Sequence, residues 1–191
     1  MTSNSNWWPE VEFARPDPPR PTPGHWDLVP ARSSLALRFR GRFGRPVTVV
    51  VRNLSGSSVM TVPGRASTCV LVVDGPVGGS TKRRERPIRS ALRRSAGPLA
   101  VFQGRRLVIT PSGELRVDGM LTIGDVTDRL CATVSRHVLS IGADGTERLV
   151  FTAEASFDRR MFGLTGLPRR TGRMVRVRVR GEFVRARTAA S

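Results

Sequence analysis

The residue types that most often perform catalysis or bind metals are few in this chain and lie far apart. Its only histidines are His25 and His137, its only cysteines are Cys69 and Cys131, and it has no tyrosine. Zinc spacings such as CxxC or HExxH do not occur, and two distant cysteines cannot build a disulfide framework. No GxSxG segment and no prominent pair of carboxylates point to nucleophilic or acid–base catalysis. The sequence therefore predicts a protein that is not an enzyme and that uses no metal or cofactor.

Two segments resemble catalytic or phosphate-binding sites only weakly. Residues 75–82, GPVGGSTK, are glycine-rich like a phosphate-binding loop, but Lys82 follows the Ser-Thr pair, whereas the loop requires it to precede them. His137 lies next to Arg136 and two residues from Ser135 in an alternating stretch. A lone histidine in a strand is usually solvated or part of a core. We expect neither segment to form an active site.

Length, composition and charge limit the class of protein. The chain has 191 residues, of which 39% are hydrophobic, as is normal for a globular domain. The formal net charge is +17, and Lys82 is the single lysine, so the basic residues are almost all arginine. The sequence has neither an apolar run of about 18 residues that could span a bilayer nor the pattern of a secretory signal. We therefore expect a cytoplasmic protein whose two thiols stay reduced.

Alternation with a period of two residues dominates the chain from Trp26 onward and predicts β-strands. The alternating runs lie at 34–39, 47–51, 66–73, 115–123, 149–157 and 175–183. Clusters of Gly, Pro, Asn and Asp separate them as turns. The pattern predicts an all-β fold of seven or eight strands, in an antiparallel barrel or sandwich. Residues 81–97 do not alternate, and within them Ile88 to Arg94 predict one short helix.

The distribution of proline predicts the domain boundaries. Residues 1–24 hold six of the 14 prolines and are interpreted as a disordered, extended tail. Residues 25–187 form the β domain, and 188–191 are a short C-terminal tail. The pair Trp7-Trp8 either anchors the tail to a membrane or partner, or folds back on the domain.

Three segments, in order along the chain, resemble the YceI-like family. WDLVPARSSLALRF (26–39) is similar to the family's opening strand, and VDGMLTIGDVTDRL (117–130) to its G-x-L-T strand and turn. FDRRMFGL (157–164) is similar to its [DN]-R-x-x-F-G signature. RRERPIRS (83–90) resembles a fourth family stretch. The likeness covers almost everything except the N-terminal tail.

The chain also departs from the family pattern, as a divergent member would. Val29 and Arg32 stand where the family usually has Asp and His, and Pro87 replaces a second His. Gly124-Asp125 stands where the family has Arg-Gly.

The resemblance implies a lipocalin-like, eight-stranded antiparallel barrel whose elongated apolar cavity holds an isoprenoid, such as a polyprenyl or quinone tail. A barrel of this size either fills with side chains or holds one slim ligand. Its many Val, Leu, Ala and Gly residues favour an open lumen, although the same residues could form a packed core. The predicted partner is thus an isoprenoid or other amphiphilic lipid. The predicted lining residues are Leu35, Leu37, Phe39, Val70, Val72, Leu121, Ile123, Phe151, Arg159 and Phe162.

Arg159 has two interpretations. In the structural one, its guanidinium satisfies turn carbonyls or pairs with a carboxylate such as Asp158 or Glu85. In the functional one, Arg159 or Arg160 meets a lipid head group at the mouth of the barrel.

A basic stripe on the last strand provides an alternative function. Arg176, Arg178 and Arg180 share one face, and such a stripe can bind anionic membranes or nucleic acid, or simply be a solvated exterior. Valines, and not aromatic residues, alternate with the arginines, so no specific nucleic acid is expected. The sequence is also compatible with a symmetric homodimer of barrels.

Overall fold

The computed structural model describes residues 21–40, 45–62, 65–74, 100–109, 114–164 and 172–186. The predicted helix at Ile88–Arg94, residues 1–20 of the predicted tail and residues 187–191 lie outside this set. The described part contains ten strands: β1 Gly24–Leu28, β2 Ser34–Arg40, β3 Pro46–Val51, β4 Leu54–Val62, β5 Arg65–Val73, β6 Ala100–Ile109, β7 Leu115–Ile123, β8 Val126–Ile141, β9 Glu147–Asp158 and β10 Met174–Arg185.

These strands form a closed, eight-stranded antiparallel barrel, as predicted. β1 and β2 lie end to end along β10, and β3 and β4 lie end to end along β2 and β1, so each pair counts as one interrupted strand. From β4 to β10 each strand pairs with the next in the chain. β1 closes the ring because it pairs with β10 on one side and β4 on the other. Among the described residues, β3 pairs with β2 and with no other strand.

A short 3-10 turn at Pro30–Arg32 separates β1 from β2. Pro30 has no backbone N–H to donate to a neighbouring strand, which explains the interruption. The turn lies over Glu182 on the outer face of β10, where both carboxylate oxygens accept hydrogen bonds from Arg32 at 3.0 and 3.1 Å. Arg148 donates a third at 3.1 Å. Burial disfavours the charged carboxylate, but these hydrogen bonds and the two positive charges outweigh it and lower the pKa of Glu182.

The two faces of β10 are as the alternation predicts. Val175, Val179 and Phe183 are buried inside the barrel, and Arg176, Arg178 and Arg180 are exposed outside. The apolar residues face the lumen because only that side of the sheet is shielded from water.

Trp26 lies near one end of the barrel, where β1 pairs with the end of β10. Its side chain is completely buried, and its Nε1 donates a hydrogen bond to the carbonyl of Thr22 at 3.2 Å. The Thr22 hydroxyl in turn donates to Glu147, and Arg185 donates to the carbonyl of Pro23 at 3.1 Å. Residues 21–24, which the sequence analysis assigned to the tail, therefore contact the barrel, and β1 begins at the last of them.

Candidate functional site

The inner faces of β2, β8, β9 and β10 form a continuous apolar surface. Cross-strand register places Leu35 beside Val179, Val179 beside Ala153, and Ala153 beside Val134. The next row begins with Leu37 beside Val177. We call five half-buried residues of these rows the lumen wall: Leu35, Leu37, Val134, Ala153 and Val177.

The lumen wall is less buried than the aromatic residues near the two ends of the barrel, whereas Val49, Val51 and Val179, which lie in the same cross-strand rows, are buried. All five of its members pack against the core, yet each keeps part of its surface exposed. At one end Trp26 and Phe183 are almost fully buried, and at the other Phe39 and Phe162 are. Side chains in a filled core are normally as buried as those end residues.

Small inward residues do not always leave room for a ligand. A Cβ added to Gly181 would lie 2.8 Å from the ring of Phe151, and one added to Gly119 would lie 2.8 Å from the ring of Phe102. Each of these glycines therefore accommodates a phenyl ring that approaches the barrel wall. At these positions the expectation that glycine opens the lumen is wrong, because a ring takes the space.

Seven of the ten predicted lining residues belong to the apolar core or pack against it. Four are buried and three are half-buried; in chain order the seven are Leu35, Leu37, Phe39, Leu121, Ile123, Phe151 and Phe162. The structure thus brings them to the inside of one barrel. Contact between any of them and a ligand stays a prediction.

Val70 and Val72 lie on the other face of β5. The residues of this strand that contact the core are Cys69, Leu71 and Val73, and successive residues of a strand point to opposite faces. The sequence could not separate the two sets, because both are apolar. The inward residues of β5 therefore include Cys69, whose burial raises the pKa of its thiol to about 11.

Arg159 is buried in the connection between β9 and β10. Its Nε donates to the carbonyl of Gly172 at 3.1 Å, and its Nη1 donates to the carbonyl of Leu164 at 2.7 Å. Its own backbone N–H donates to the carbonyl of Arg173 at 3.0 Å. These contacts match the structural interpretation, in which the guanidinium satisfies turn carbonyls. A head-group contact stays a prediction, and the exposed Arg160 is better placed for it than the 4% exposed Arg159.

The other residues of the FDRRMFGL segment shape the same turn. Phe162 meets Phe157 edge to face, with ring centroids 5.0 Å apart. Gly163 has a φ of +63°, a conformation that glycine adopts at little cost. Asp158 accepts a hydrogen bond from the backbone N–H of Arg160 and pairs with Arg173, and these contacts lower the pKa of its carboxyl group against a smaller opposing effect of burial.

Three lumen-wall residues were missed by sequence reasoning. Ala153 and Val177 lie in the predicted alternating runs at 149–157 and 175–183, on the apolar side of each run. The alternation therefore already indicated that both face inward. Val134 lies just before an irregularity at Ser135, where the register with β9 shifts by one residue. After such a bulge, the odd-numbered and even-numbered residues of the strand exchange partners on β9. His137 therefore lies opposite Phe151.

The outer surface carries a cleft beside the arginine stripe, which is the row of Arg176, Arg178 and Arg180 on β10. Its volume is about 340 Å³, and its lining includes Val138, Val150, Thr152, Arg178 and Arg180. One of these arginines, Arg178, forms an ion pair with Glu154 at 2.6 Å, with both groups exposed.

The described ranges contain no group of three or more His, Cys, Asp or Glu residues that could hold a metal ion. No helix in the same ranges is long and apolar enough to cross a membrane.

Several solved structures share this fold at low sequence identity. A polyisoprenoid-binding domain from Saccharophagus degradans is 16% identical, with a TM-score of 0.62 over 84% of this chain and 98% of that one. BcnA from Burkholderia cenocepacia is 13% identical, with a TM-score of 0.59 over 84% of this chain and 100% of that one. A mutant of the Campylobacter jejuni YceI protein is 13% identical, with a TM-score of 0.55 over 72% of this chain and 84% of that one.

No protein-family model and no curated protein matches the chain. The resemblance seen in three sequence segments is confirmed at the level of structure, because the similarity to these proteins covers most of both chains. The described part of this chain therefore has the YceI-like fold, a closed eight-stranded antiparallel barrel.

Proposed function

We propose that this protein binds the apolar chain of a lipid, of the isoprenoid class, in its barrel lumen and performs no chemistry on it. The observation that carries the proposal is the lumen wall. Its five apolar side chains line the inside of the barrel and are half-buried, whereas their neighbours Val49, Val51 and Val179 are buried. A slim, flexible hydrocarbon is the ligand that would cover such a surface.

The energetics of burial suit storage or transport. Each methylene moved out of water gains about 0.8 kcal/mol, so a prenyl chain of some twenty carbons gains on the order of 10 kcal/mol after association costs. A bilayer offers the same chain a similar gain. Exchange between membrane and barrel would then be nearly balanced, as a carrier or reservoir requires.

A non-catalytic role is supported by the surroundings of the histidines. His137 is exposed and its register neighbour on β9 is Phe151. His25 is also exposed and contacts Asp27 at 3.0 Å, on an outer part of β1. Neither arrangement aligns a nucleophile with a base. The Saccharophagus degradans neighbour, described as a polyisoprenoid-binding domain, supports the choice of ligand class.

Binding of a fluorescent prenyl lipid to the purified full chain tests the proposal. Ala153→Trp places a large side chain on the lumen wall and should weaken binding tenfold or more. Ser156→Trp adds the same side chain to the exposed outer face of β9 and should leave binding unchanged. Binding should also change little with salt, because it depends on burial and not on charge. A folded wild-type protein with no affinity for prenyl lipids, or equal binding by both variants, would refute the proposal.

The arginine stripe is the basis of a second candidate function, binding to an anionic membrane or to nucleic acid. This candidate is supported by a pair of exposed arginines. Arg176 of the stripe lies directly opposite Arg38 of the neighbouring strand β2. Like charges in such a pair destabilise a sheet, and a bound anion would relieve the repulsion. A salt series separates this function from lumen binding, because contacts to phosphates weaken steeply as salt rises.

A further inference from the structure

One end of the barrel exposes two methionines among arginines. Met161 is 57% exposed in the connection after β9, and Met174 is 52% exposed at the start of β10. Four exposed arginines lie around them. We call this surface the basic rim, and its members are Arg40, Arg45, Arg160, Met161, Arg173 and Met174.

Backbone contacts make the basic rim one continuous surface. The N–H of Gly172 donates to the carbonyl of Arg40 at 2.7 Å, which joins the end of β2 to the segment before β10. Arg40 also pairs with Pro46, the residue after Arg45. On the other side, Met174 pairs with Asp158. The N–H of Met161 donates to the backbone carbonyl of the same Asp158 at 3.1 Å, so the two methionines project from adjoining backbone.

The positive charge of the basic rim is only partly compensated. Asp158 pairs with Arg173 at 2.9 Å, on a side of the rim that also carries Arg160. The basic rim thus has four arginines, one of which is paired with the Asp158 carboxylate.

We propose that the basic rim docks on an anionic lipid surface, with its arginines at the phosphates and Met161 and Met174 among the upper acyl chains. Exposed apolar side chains within a basic ring are what an interfacial contact needs, since burial and charge attraction then act together. Methionine is unbranched and flexible, so it fits the irregular space between lipids. It offers no flat ring on which a nucleotide base could stack, which favours lipid over nucleic acid as the partner.

Docking in this orientation brings the basic rim, and not the Trp26 end, to the bilayer. The attraction rests on the rim alone. Only its use, the exchange of a lipid between bilayer and lumen, rests on the proposed function. A barrel whose lumen is blocked by Ala153→Trp should therefore dock as well as the wild type, so the two proposals can fail separately.

Co-sedimentation with phosphatidylcholine vesicles, with and without phosphatidylglycerol, tests the docking. The wild type should bind the anionic vesicles and lose binding as salt rises. Each arginine near a charged membrane contributes about fivefold to partitioning, so Arg45→Glu with Arg160→Glu should weaken it by about 25-fold or more. Met161→Asp should also weaken binding, and Met161→Leu should preserve it.

The matched control reverses two exposed arginines on β6, Arg105→Glu with Arg106→Glu, and changes the net charge equally. It should bind more tightly than the rim variant. Equal losses in both double variants would mean that net charge, and not the rim, drives the contact, and would overturn the proposal. Binding to single-stranded or duplex DNA with the same dependence on rim residues, in the absence of vesicle binding, would overturn it as well.

Discussion

Replacing Arg159 with methionine separates the structural from the functional interpretation of this residue. The guanidinium donates to two loop carbonyls, those of Gly172 and Leu164, and is almost completely buried. Methionine fills a similar volume but donates no hydrogen bond. Both carbonyls would lose a charged donor in a place where water has little access.

The cost follows from these two contacts. A hydrogen bond from a charged donor contributes about 1.5 to 3 kcal/mol, so Arg159→Met should lower the free energy of unfolding by about 3 to 5 kcal/mol. For a domain of this size, that corresponds to a fall in Tm of about 10 to 15 °C. Arg159→Lys can reach one carbonyl and should cost about half as much.

Thermal unfolding followed by circular dichroism measures the effect, with Arg160→Met as the control. Arg160 is the exposed neighbour, and its replacement should change the free energy of unfolding by no more than about 0.5 kcal/mol. Prenyl-lipid affinity, measured well below the Tm of each variant, should be the same for wild type and Arg159→Met. An unchanged Tm with a selective loss of lipid binding would refute the structural role and favour a head-group contact.

Three further predictions concern other parts of the barrel. The exposed Cys131 should react with iodoacetamide at about pH 8 much faster than Cys69. The pKa of Cys69, about 11, leaves only about one thiol in a thousand as the reactive thiolate at that pH. Bound prenyl lipid should slow the reaction of Cys69 further. Gly181→Ala should lower the free energy of unfolding by about 1 to 3 kcal/mol, because the added Cβ meets the ring of Phe151 at 2.8 Å. The lowered pKa of Glu182 means that its ionised form stabilises the fold above its unfolded pKa of about 4.5, and that this contribution disappears as pH falls through the folded pKa. Urea unfolding of the wild type should therefore lose stability more steeply below about pH 5 than that of Glu182→Gln.

Each of these has a contrary outcome. Equal alkylation rates for the two thiols would place Cys69 outside the shielded lumen. A Gly181→Ala variant as stable as the wild type would mean that the phenyl ring is free to move aside. Parallel pH profiles for the wild type and Glu182→Gln would show that the ion pairs with Arg32 and Arg148 do not stabilise the fold.

The strands and turns of this fold were predictable where local patterns are strong. The valine–arginine alternation of β10 assigns its two faces directly, because only one set of side chains can be shielded from water. The alternating run at 115–123 ends just before the turn at Gly124-Asp125, where Gly124 has a φ of +59°. The FDRRMFGL segment identified the connection whose carbonyls Arg159 satisfies.

The prediction of lining residues was wrong where the residues on the two faces of a strand do not differ in polarity. In β5, the residues from Thr68 to Val73 are apolar or small on both faces. The alternation therefore gives no physical reason to prefer Val70 and Val72 over Leu71 and Val73 as inward residues. In β8, the irregularity at Ser135 shifts the parity of the second half. Neither effect can be seen without the neighbouring strands.

The sequence by itself determined the all-β class, most strand positions, the outward arginines of β10 and the turn in which Arg159 lies. These follow from a period of two residues and from local backbone chemistry, which act over a few neighbours. Tertiary structure alone decided that β1 closes the ring against β10 and β4, that Trp26 is completely buried, and that the rings of Phe102 and Phe151 lie beside glycines. The physical reason is that closure and packing join residues that are distant in the chain, from 17 positions apart for Phe102 and Gly119 to 159 for Trp26 and Arg185, and no local pattern specifies those contacts.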